Sequence, residues 1–112
     1  MALPSQVGRA YDELVGLNGE LFAAEQFEAA YHALMAALHC AEDSSNVERL
    51  TAVADIARQQ GGAIDANAPT HRLSTQRSHG TQSIYAMAAA TAEAVIKRLE
   101  NQQRMAQLRH RR

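Results

Sequence analysis

Twenty-three of the 112 residues are alanine, and that proportion constrains the fold more than any motif does. Alanine loses no side-chain entropy in a helix, so the composition favours helix over the alternatives. It also contributes little apolar area. Leu, Ile, Val and Phe number only 21, so a core has to be built by bringing helices close together. So few large apolar residues would suggest disorder in a highly charged chain, but the formal net charge is −1. The length suits one small domain. A membrane span, a disulfide scaffold, a two-domain enzyme and a (β/α) barrel are all excluded on these grounds.

Absences set the expected compartment. The opening MALPSQVGRAYDE has neither a basic n-region nor an apolar h-region, so no signal peptide is expected. No run of about 18 apolar residues is present to span a bilayer. Cys40 is the single cysteine and has no disulfide partner in the chain. A reducing cytoplasm is the expected location, with no membrane partner.

Apolar spacing predicts an all-α four-helix bundle. Val7, Ala10, Tyr11, Leu14, Leu17 and Leu21 recur with helical period, giving a first helix over about 5–24. Continuing that phase would bury Glu25 and Glu28. The next apolar set is Phe27, Ala30, Tyr31, Leu34, Leu38 and Ala41, which predicts a turn at 24–26 and a second helix over 27–42. Ser45-Asn46-Val47-Glu48 reads as a capping box. A third helix over 46–60 follows, burying Val47, Leu50, Val53, Ala54 and Ala57, with Gly61-Gly62 as its left-handed stop. Residues 61–80 carry no sustained periodicity and read as a long crossover loop, a length that is often functional or disordered. A fourth helix over 82–110 is expected to turn Ile84, Met87, Ala88, Thr91, Val95 and Leu99 inward.

Helix lengths then point to self-association. A third helix of about 15 residues spans roughly 22 Å, whereas the fourth approaches about 43 Å. Met105 and Leu108 lie in the overhang. Ala86 and Ala90 leave a smooth face on which another helix can pack closely. These four residues are the expected interface of a homo-oligomer.

Charge is unevenly placed. Residues 1–66 hold ten acids against three bases, a balance of −7, and residues 67–112 hold eight bases against two acids, or +6. The halves are expected to complement one another inside the bundle or across a dimer. Lys97, Arg98, Arg104 and Arg109, together with Arg111 and Arg112, make a basic tail from 97 to 112. Those cations suit the rim of an interface with an acidic protein surface. They also suit phosphates, which makes nucleic acid the alternative partner. No aromatic platform or helix-turn-helix signature accompanies them.

Catalytic and metal chemistry find little footing. His32 and His39 share a face but stand about 10 Å apart along a helix, too far for one metal. Glu28 with His32, and His39 with Asp43, offer two ligands each, and no Glu-x-x-His tetrapeptide completes a di-metal set. No metal or cofactor is expected. Cys40 has no base suitably placed and reads as a small packed thiol.

The loop holds Arg72-Leu-Ser-Thr-Gln-Arg77-Ser-His79, an arginine followed by a histidine near the mouth of the last helix. With FEAAYHALMAALHCAE, it resembles the HEPN family of small four-helix domains, many of which carry an Arg-x(4–6)-His motif. That resemblance implies a metal-independent ribonuclease, often dimeric, with His79 as acid/base on the 2′-hydroxyl and Arg72 on the phosphate. Leu73 stands where the family has a polar residue. Residues 14–41 are also similar to a single tetratricopeptide repeat hairpin, through Leu14, Leu17, Leu21, Phe27, Ala30, Leu34 and Ala37. Asn18 and Glu42 replace that family's glycine and proline, and no second repeat follows. The expectation carried forward is a non-catalytic interaction or assembly domain, self-associating through its C-terminal helix. Nucleic-acid binding and HEPN-like ribonuclease action are the alternatives.

Overall fold

The computed structural model describes residues 4–78 and 82–110, and it is all-α. Four helices follow in order: α1 (Pro4–Ala23), α2 (Phe27–Asp43), α3 (Val47–Asn67) and α4 (Ile84–His110). α1 packs on α2 and α3 on α4, and α2 joins the two pairs by touching both α3 and α4. Among the described residues no helix is long and apolar enough to cross a membrane.

The two tight connections end their helices in the same way. At the end of α1, the Gln26 amide donates to the Leu21 carbonyl and the Glu25 amide to Phe22, both at 2.9 Å. At the end of α2, Asn46 donates to Ala41 at 2.9 Å and Ser45 to Glu42 at 3.0 Å. Both are Schellman closures, which need one left-handed residue. Glu25 (φ 60°) and Ser45 (φ 52°) supply it, without glycine. Ser45 is therefore not the cap of α3. Asn46 is, its Oδ1 accepting from the Arg49 amide at 3.0 Å, so the expected reciprocal capping box is replaced by a simple Asn cap.

Gly61-Gly62 does not end α3. The helix continues to Asn67, past the expected stop at 60, and buries Ile64 in its last turns (1% exposed). Gly61 serves packing instead. A Cβ there would lie 3.1 Å from Tyr85 Cβ, so the missing side chain is what lets α3 and α4 approach. The crossover is accordingly 68–83 rather than 61–80, with a 3-10 turn over Gln76–Ser78.

That crossover is pinned where it is described. Asp65 accepts from both the Thr75 amide (2.8 Å) and its hydroxyl (2.7 Å). Leu73 joins the core and Ser74 is fully buried, its hydroxyl donating to the Pro69 carbonyl at 2.6 Å. At the far end Ser83 caps α4, its hydroxyl oxygen accepting from the Ala86 amide at 3.1 Å.

Two inward faces differ from the periodicity reading. In α1, Leu17 is 45% exposed and Asn18 is buried in its place. The reason is hydrogen bonding: the Asn18 amide reaches the Ala30 carbonyl at 2.7 Å and Gln60 at 3.0 Å. In α4, Met87 is 53% exposed and Thr91 is exposed, while Tyr85, Ala88, Ala89, Ala92, Val95 and Leu99 face inward. Tyr85 sets that phase. Its hydroxyl donates to the Phe27 carbonyl at 2.7 Å, and its ring makes edge contacts with Phe22 and Tyr31. Between Tyr85 and the pair Val95 and Leu99, the inner positions are filled by Ala88, Ala89 and Ala92.

Candidate functional site

α4 outlasts the bundle. Leu99 is its last buried residue, and every residue from 100 to 110 is exposed. The radius of gyration, 15.9 Å, exceeds the value of about 13 Å for a compact chain of this length. At 1.5 Å per residue the overhang reaches about 16 Å beyond the core contacts.

The four expected interface residues share one face of that helix. At about 100° per residue, Ala86, Ala90, Met105 and Leu108 fall within an arc of about 100°, roughly opposite the buried face. Ala86 and Ala90 are exposed, and Met105 and Leu108 are each 51% exposed. Met87 lies on the same arc, a residue that the periodicity assigned to the core. Two of the chain's four methionines therefore stand on this outward stripe.

The basic residues around the stripe are not equivalent. Arg98 donates to Glu42 at 2.8 Å and is tied to α2. That guanidinium, as a hydrogen-bond donor, draws the Glu42 carboxyl below the ordinary carboxylate range. Lys97, Arg104 and Arg109 make no ion pair among the described residues. Arg58 of α3 pairs with Glu93 of α4. Two pairs, Arg98–Glu42 and Arg72–Glu28, join the basic second half to the acidic first half. Part of the charge asymmetry is thus compensated within the chain.

The second candidate lies at the opposite end, where the crossover meets the start of α2. A shallow groove of about 460 Å³ is lined by Glu25, Phe27, Glu28, His32, His71 and Arg72, among others. His71 packs edge-on against Phe27 with centroids 4.9 Å apart, and its Nδ1 accepts from the Leu73 amide at 3.1 Å. Arg72 is held by Glu28 at 2.5 Å, and hydrogen bonding to the guanidinium keeps the Glu28 carboxyl low. The guanidinium expected to take a phosphate therefore already has a carboxylate partner. His79, its expected companion, lies outside the described residues. Leu73 is a buried anchor, which accounts for an apolar residue directly after Arg72.

The suggested metal-ligand pairs are not drawn together into a site. Among the described residues no three His, Cys, Asp or Glu side chains converge on one position. His39 Nδ1 lies 3.6 Å from Glu42 rather than against Asp43, and His32 packs edge-on beside Tyr31. Cys40 is a half-buried free thiol packed against the core.

No protein-family model, curated protein or solved structure matches the chain.

Proposed function

We propose that this chain is a non-catalytic assembly domain that self-associates through α4. One observation carries the reading: α4 keeps its helical form through residues 100–110 with no buried residue there, and displays Met105 and Leu108 on a stripe continuous with Ala86 and Ala90. Isolated helices shorter than about 12–15 residues are marginal in water, and packing of one face supplies most helical stability in proteins. A three-turn overhang with apolar side chains on one side suits a partner that covers that side. Covering the exposed half of Met105 or Leu108 stabilises by about 1 kcal/mol each. The alanines let a second helix come close enough to do it. Lys97, Arg104 and Arg109 stand at or beside this stripe, where an acidic surface complements them.

Size-exclusion chromatography with light scattering tests this directly. The expected mass is twice the 12.2 kDa of one chain. Ala90→Glu places a charge on the stripe and is expected to give a monomer with unchanged far-ultraviolet helicity. A wild-type monomer, or a dimer indifferent to Ala90→Glu, overturns the reading.

A second reading has its own support. Lys97, Arg104 and Arg109 are cations without an intrachain partner among the described residues, a pattern that neutralises phosphate backbones as well as acidic proteins. The same chromatography separates the two. With no Trp and only three Tyr, the protein absorbs weakly at 280 nm, so bound nucleic acid would dominate the spectrum. A high 260/280 ratio that collapses in strong salt favours nucleic acid, and a protein-like ratio favours assembly alone.

A further inference from the structure

We draw no further inference here: the strongest candidate, the outward face of α4 on which Met87, Met105 and Leu108 stand exposed among the cations Lys97, Arg104 and Arg109, carries none because nothing in the structure shows what covers it.

Discussion

Asn18 and Gln60 exchange hydrogen bonds across α1 and α3: Asn18 Nδ2 donates to Gln60 Oε1 at 3.0 Å, and Gln60 Nε2 donates to Asn18 Oδ1 at 2.7 Å. The same Asn18 amide also donates to the Ala30 carbonyl at 2.7 Å, so one side chain links three helices. It is 1% exposed, so nothing outside the protein can replace these partners. Asn18→Ala leaves the Gln60 amide short of partners and opens a small void. The expected cost is about 1–3 kcal/mol, read as a lower urea midpoint at unchanged slope. An unchanged midpoint would show that the amide pair sets helix register without adding stability.

The two neighbouring glycines of α3 are expected to respond in opposite directions. A Cβ at Gly62 meets nothing within 4 Å, so Gly62→Ala gains helix propensity and stabilises by about 1 kcal/mol. At Gly61 the new methyl meets Tyr85 Cβ at 3.1 Å. Tyr85 is fully buried and held by its hydroxyl bond to Phe27, so it has little room to give. Gly61→Ala is expected to destabilise despite its better propensity, by about 1 kcal/mol or more. Thermal unfolding of the pair decides it, and a stabilised Gly61→Ala would refute the close-approach account.

Glu25 and Ser45 occupy left-handed backbone at helix ends where glycine is the unstrained choice. Glu25→Gly and Ser45→Gly are each expected to stabilise by about 0.5–1 kcal/mol, the relief of strain exceeding the added entropy of the unfolded chain. Chemical denaturation of the double variant should show nearly additive gains, since the two turns lie at opposite ends of α2. A loss in either single variant would mean that the side chain does more than cap its helix.

Burial raises the Tyr85 hydroxyl above its ordinary pKa, and Tyr11 is raised in the same way, with Arg49 partly opposing. A raised folded pKa gives stability that is complete below the unfolded value, about 10, and is lost as pH climbs through the folded value. Wild type should therefore lose stability progressively above about pH 10. Tyr85→Phe should flatten that alkaline limb, at a cost near neutrality of about 1 kcal/mol for the lost bond to Phe27. Unfolding midpoints measured on both sides of that pH check the sign; an equally steep limb in Tyr85→Phe would assign the effect to Tyr11.

Element order, the turn at 24–26 and most of the core of α2 and α3 were legible in the sequence, because Phe27, Leu34, Leu38, Leu50 and Val53 repeat with the period of one helix face. That α4 is the longest helix was legible too, although α3, at 21 residues rather than about 15, makes the length difference smaller than the sequence implied. Asn18 was not. Polar residues count against burial in any periodic reading, and its partners at Ala30 and Gln60 are distant in sequence. Nor was the phase of α4, where alanine surrounds every candidate face and periodicity carries almost no contrast. The signal that would have corrected it is Tyr85, the one large side chain at the start of that helix able to reach across to α2. The Arg72–Glu28 pairing was equally hidden, since 44 residues separate its partners.

By itself the sequence determined that the chain is helical, how many helices it makes and that the last one outruns the others. Those properties follow from local propensity and from a period of 3.6 residues. Tertiary packing decided where α3 stops and which residues of α4 point inward. Both answers turn on one contact, Gly61 against Tyr85. Gly61-Gly62 is a helix stop by local preference, but burying Ile64 and bringing α3 onto Tyr85 favours carrying the helix through it. The left-handed positions went instead to Glu25 and Ser45, because chain reversal had to occur where the apolar faces ended, whatever residue stood there.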